Sequence, residues 1–153
     1  MALSYLLVLA RETPPHEALD LVRGFVGGRV TDDGRLVVDD RVVVWSDSVT
    51  DLRQRRDNRD DWGFDTATEV GFRLSSDDAE ARYATQGTMS LAAIRLAHRL
   101  DSDAGLSFEG ERRIMLRRGG TLTLYDWWPQ WHEPEVLAAI PEPYALEPAP
   151  PVD

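Results

Sequence analysis

The chain contains no cysteine and no lysine, and only three histidines in 153 residues. Without cysteine there is no disulfide framework, no thiolate nucleophile and no thiolate metal site. The absence of cysteine is compatible with the cytosol. The histidines (His16, His98 and His132) are far apart, and none has a second ligand at metal spacing. His132 comes nearest, with Glu133 and Glu135, but Pro134 spoils a helical arrangement, so no metal and no cofactor are expected. Other signatures are absent too: there is no Gly-x-Ser-x-Gly elbow and no glycine-rich phosphate loop before a helix. The apolar start, Met1 to Ala10, lacks a basic head and is cut off by Arg11-Glu12, so it reads as a first, central strand rather than a signal peptide. No run is long enough to cross a membrane.

All 17 basic residues are arginine, against 27 acids, for a net charge of −10. That balance argues against nucleic acid or an anionic membrane as partner, and suits a basic partner or simple solubility. The acids are unevenly placed. From Asp126 to Asp153 there are six carboxylates and no arginine.

The alternation of Leu3, Tyr5, Leu7 and Leu9 puts them on one face of the opening strand. Thr13-Pro14-Pro15 predicts the cap and first turn of a short helix carrying Leu19, Val22 and Val26, or else Leu21 and Phe25, stopped by Gly27-Gly28. Arg29 to Asp39 reads as a hairpin around Asp33-Gly34, and Arg41 to Ser46 as a strand. Asp47 to Asp61, with five aspartates and four arginines among 15 residues and almost no apolar period, reads as a solvated loop. The sharper alternative is a functional loop. A strand from Gly63 to Leu74 then feeds a long amphipathic helix with Asp77 as its N-cap and Glu80 three residues on. Gly87 is a possible break in that helix, which is expected to end near Asp101. Three strands follow, Ala104 to Phe108, Arg113 to Arg117 and Thr121 to Tyr125, turned at Glu109-Gly110-Glu111 and Gly119-Gly120. The order predicts an α+β domain of a mainly antiparallel sheet with two helices over residues 1–132. Residues 133–153 read as an acidic, proline-rich tail without regular structure, save one helical turn over Val136 to Ile140.

The most distinctive composition is the segment Trp127-Trp128-Pro129-Gln130-Trp131, rimmed by Asp126, Glu133 and Glu135. Large rigid aromatics bordered by charge fit a binding hot spot, and these six residues (Asp126, Trp127, Trp128, Trp131, Glu133, Glu135) are the candidate partner-binding set. The alternative is that one or two of the rings close the open edge of the core.

The opening Met1-Ala2-Leu3-Ser4-Tyr5, the Gly63-Phe64 entry into Val70-Gly71-Phe72-Arg73-Leu74, the single long helix, and Leu106-Ser107-Phe108-Glu109-Gly110-Glu111 leading to Leu116-Arg117-Arg118-Gly119-Gly120 resemble the Sit-type immunity proteins. These are small bacterial proteins that protect a cell from a cognate polymorphic toxin. The resemblance implies a cytoplasmic, non-catalytic protein that works by binding a toxin, and it implies no catalytic residues. Two other readings stand beside it: a general interaction or scaffold domain, and a small hydrolase using carboxylates such as Asp57, Asp60 and Asp61.

Overall fold

The computed structural model describes residues 2–75 and 78–149. In chain order its elements are β1 (Ala2–Leu9), α1 (Pro15–Val26), β2 (Arg29–Val30), β3 (Leu36–Val38), β4 (Val42–Ser48), α2 (Leu52–Trp62), β5 (Thr68–Ser75) and α3 (Ala79–Leu100). Then come β6 (Ala104–Phe108), β7 (Arg112–Arg118), β8 (Thr121–Tyr125), a 3-10 turn (Pro129–His132), α4 (Pro134–Ala138) and β9 (Tyr144–Glu147). All nine strands form one sheet in the order β2-β3-β4-β5-β1-β6-β7-β8-β9. Every pairing is antiparallel except β8 with β9. The α+β class and the mainly antiparallel sheet are as the sequence predicts; the described residues form four α-helices, not two.

Because side chains alternate across a strand, the register assigns each residue to a face. Leu36, Val44, Phe72, Tyr5 and Phe108 lie opposite one another across five strands. This row, with Leu7 and Leu9, faces α1 and α3, and all but the half-buried Phe108 are buried in the main core. β1 is central, as its apolar run requires. Met115 stands opposite Leu124 in the β7–β8 hairpin, and both are buried. The other face carries the row Trp45, Gly71, Leu6 and Ser107 and the row Asp47, Glu69, Val8, Gly105 and Leu116.

Asp47 to Asp61 is not a loop. Asp47 and Ser48 end β4, and from Leu52 onward the segment is the helix α2, which ends on Trp62. The Asp51 carboxylate accepts from the amides of Arg53 (2.8 Å) and Gln54 (3.4 Å), and Gly63 closes the far end in the left-handed region, φ 82°. Arginine and glutamine are good helix formers. What the segment lacks is an apolar stripe, because polar side chains do most of the docking. Arg55 Nε donates to the Val49 carbonyl (2.6 Å), Gln54 to Glu69 (3.1 Å) and Asn58 to the Thr66 hydroxyl (2.8 Å). Only Trp62, at the last turn, is buried.

Two cap positions also differ. Pro14, not Thr13, precedes α1, and no side chain caps that helix. Thr13 is instead buried, its amide donating to the Thr68 hydroxyl (3.0 Å). The long helix is capped by Asp78, whose carboxylate accepts from Glu80 (3.0 Å) and Ala81 (3.4 Å). The expected cap, Asp77, lies outside the described residues. α3 runs unbroken past Gly87, where a Cβ would stand 2.9 Å from Oε1 of Gln130. It ends, as predicted, at Asp101, in the left-handed region.

The segment after His132, expected to lack regular structure apart from one turn, carries α4 and then β9. Backbone pairing with β8 gives its extended chain a place that composition does not announce: Leu122 lies opposite Tyr144 and Tyr125 opposite Glu147.

Candidate partner-binding surface

The six residues singled out by composition end up in two environments. Trp131 is fully buried and Trp128 is 4% exposed, so both belong to the core and not to a free surface. An indole is large enough to fill the gap between β7 and α3, and its N–H finds an acceptor there. Trp131 Nε1 donates to the Ile114 carbonyl (2.9 Å) and Trp128 Nε1 to the Ser90 hydroxyl (3.0 Å). The Trp128 ring also meets Tyr5 edge-on at 5.5 Å. Trp127 is half-buried; its N–H donates to the Arg113 carbonyl, and the Arg112 guanidinium lies 3.9 Å over its ring.

The three acids stay at the surface. Asp126 is exposed, and its carbonyl accepts from His132 Nε2 (2.6 Å). Glu133 accepts from the Tyr83 hydroxyl (2.8 Å), a bond that raises the tyrosine pKa above its ordinary value. Glu135 is exposed on α4. Solvent therefore meets an edge of Trp127 bordered by Asp126, with Glu133 and Glu135 leading onto α3. Asp78, the N-cap of α3, and Glu80 in its first turn are exposed as well.

Asp57, Asp60 and Asp61 are all exposed on α2. Among the described residues no group of three histidine, aspartate or glutamate side chains is placed to hold a metal. No described helix is long and apolar enough to cross a membrane.

A buried cluster of charge among the described residues went unseen in the sequence. Arg117, 4% exposed, donates Nε to Glu142 Oε1 (2.8 Å), one terminal nitrogen to the Ser102 carbonyl (3.0 Å) and the other to Asp101 (3.0 Å). That second nitrogen also reaches Glu142 Oε2 (3.3 Å), which makes the Arg117–Glu142 pair bidentate. His98 Nδ1 lies 3.0 Å from the same Oε2. Burial by itself would raise the Glu142 pKa, but the bonds from Arg117 and His98 prevail and hold it below its ordinary value. The cluster ties the C-terminal segment to the end of α3. No spacing rule links residues 98, 117 and 142; they meet only because β9 pairs with β8.

A family model described as SitI3-like matches residues 3–135. The chain belongs to that family, and so to the Sit-type immunity proteins. No curated protein and no solved structure matches it. The family match stops short of Glu142 and β9.

Proposed function

We propose that the protein is a cytoplasmic, non-catalytic immunity protein that binds a cognate bacterial toxin one-to-one and neutralises it. Membership of the SitI3-like family carries this reading. The charge supports it: a net −10 surface accelerates encounter with a basic toxin, such as a nuclease, and disfavours nucleic acid itself. The surface that meets the toxin includes Asp126, the exposed edge of Trp127, Glu133 and Glu135, with Trp128 and Trp131 acting from beneath by fixing the backbone that presents them. Rigid support of this kind lowers the ordering cost of binding.

The test is co-expression with the product of the neighbouring reading frame, scoring growth and co-purification together. Growth rescue with a one-to-one complex is the expected result. A demonstrably toxic neighbour that still kills, and does not co-purify, would remove the assignment.

A further inference from the structure

An apolar slot lies on the helical side of the sheet, between the N-terminal half of α3 and the β3–β4 hairpin. Its floor and one wall come from Val26, Val42 and Phe72, and its other wall from Ala81, Ala84, Thr85 and Thr88. The two threonine hydroxyls are already engaged, donating to the Ala81 (2.8 Å) and Ala84 (3.3 Å) carbonyls. The α3 wall therefore presents no free hydroxyl. The cavity measures about 240 Å³. Drug-sized ligands take roughly 300–1,000 Å³, whereas an apolar cavity on the order of 150 Å³ accepts a benzene ring. The slot is thus sized for one large apolar side chain.

Its border says whose side chain. Asp39 lines the mouth beside Arg41, Asp40 follows Asp39 in the turn, and Asp78 stands one helical turn before Ala81 on the same side of α3. Glu80 lies on the outer crest of that helix, and Glu133 is bound to Tyr83 on its opposite flank. The four acids at this surface, Asp39, Asp40, Asp78 and Glu80, outnumber the three arginines beside them, Arg29, Arg41 and the half-buried Arg82. The turn itself is unusual. Arg41 N–H donates to the Val38 carbonyl (3.1 Å), and both central residues have positive φ, Asp39 at 51° and Asp40 at 55°. The β6–β7 and β7–β8 turns put glycine at the second central position, Gly110 and Gly120, where the left-handed conformation is cheap. Beside the slot that position is an aspartate.

We propose that this slot is the toxin's anchor site: it takes one leucine-, phenylalanine- or tryptophan-sized side chain from a basic segment of the toxin. Asp39, Asp40, Asp78 and Glu80 face the arginines or lysines flanking that side chain. The proposal rests on the immunity reading above and adds to it the place and chemistry of contact. Like other hot spots, the slot combines a desolvated apolar centre with a charged rim.

The experiment titrates the toxin encoded beside this chain with wild type, Ala84→Arg, Thr88→Trp and Asp40→Gly, and records each variant's melting curve alone. Residues 84 and 88 are exposed, so both replacements fill the slot without disturbing the core. Ala84→Arg and Thr88→Trp are expected to bind roughly 30-fold or more weakly at unchanged melting temperature. Asp40→Gly is expected to melt no lower than wild type and yet bind several-fold more weakly, with a smaller dependence on salt. Wild-type binding with full affinity in both slot variants would overturn the anchor site and leave the immunity reading standing. No binding by wild type to a toxic neighbour would bring down both. A dimer of the chain alone that Ala84→Arg dissociates would assign the slot to a second copy, which also overturns the proposal.

Discussion

The two faces of the sheet are covered by different means. Under α1 and α3, whole rows of aliphatic and aromatic side chains are sealed by helices with their own apolar stripes, and Trp128 and Trp131 close the end. On the opposite face the buried cluster is small, Val8, Trp62 and Phe64, and it is built by a helix that is charged almost throughout. There the fit depends on one missing side chain: a Cβ at Gly105 would overlap the Trp62 ring, just as one at Gly71 would overlap Trp45. Arginines complete the cover, Arg113 with its guanidinium 5.1 Å over Trp62 and Arg118 at 5.9 Å over Phe64. The first face is held by apolar area, the second by a notch, cation–π contacts and side-chain hydrogen bonds. The second face also retains an electrostatic penalty. Burial, with Asp47 directly opposite, raises the Glu69 pKa despite the hydrogen bond from Gln54.

If that contrast is right, replacements on the two faces should differ in size and in kind. The largest loss is expected for Trp131→Ala, about 3–5 kcal/mol, because a fully buried ring and its hydrogen bond to Ile114 go together. Chemical denaturation measures it; a loss below about 1 kcal/mol would mean that the ring does not belong to the core. Trp62→Ala on the second face should cost less, about 2–3 kcal/mol, since the ring is 9% exposed and its neighbours are few. Hydrogen exchange should show that loss as freer exchange in α2 while α3 stays protected; equal loosening of both helices would erase the distinction between the faces.

Next in size is Glu142→Gln, at about 2 kcal/mol, which takes the bidentate carboxylate from the buried Arg117 and leaves it the exposed Asp101 as counter-charge. This pair also sets a pH dependence. The folded-state pKa of Glu142 lies below its ordinary value of 4.5, so its contribution is complete above about pH 4.5 and is lost as pH falls through the lower folded value. Wild type should therefore lose stability below pH 4.5 more steeply than Glu142→Gln, and parallel melting curves across that range would refute the linkage. The smallest effect is Asp51→Ala, about 1 kcal/mol, through loss of the α2 cap. Thermal melting should register it as a shift of a few degrees. No shift at all would mean that the side-chain bonds of Gln54, Arg55 and Asn58 hold the helix without its cap.

Much of the fold is written in local chemistry. The alternation of Leu3, Tyr5, Leu7 and Leu9 marked β1, and Gly119-Gly120 marked a hairpin whose register sets Met115 against Leu124. The family could be recognised from the same strand and turn patterns. Less of the candidate site was legible. The tryptophan segment was found by composition, but composition is blind to which way a ring points, and Trp128 and Trp131 turned inward while their acidic neighbours stayed outside. α2 was missed because its signal, Asp51 at one end and Gly63 at the other, was outweighed by the absence of an apolar period. That period is weak wherever a helix docks through one terminal ring and several polar side chains.

The sequence by itself determined the class of fold, the central strand, the hairpin turns, the long helix with its end at Asp101, and the acidic balance of the chain. Each follows from interactions within a few residues or from charge summed over the chain. Only the tertiary structure decided the burial of the tryptophans, the Trp62–Gly105 notch, the meeting of His98, Arg117 and Glu142, and the slot between α3 and the β3–β4 turn. These depend on contacts between residues tens of positions apart, and no local pattern encodes a distance that the sheet order alone creates.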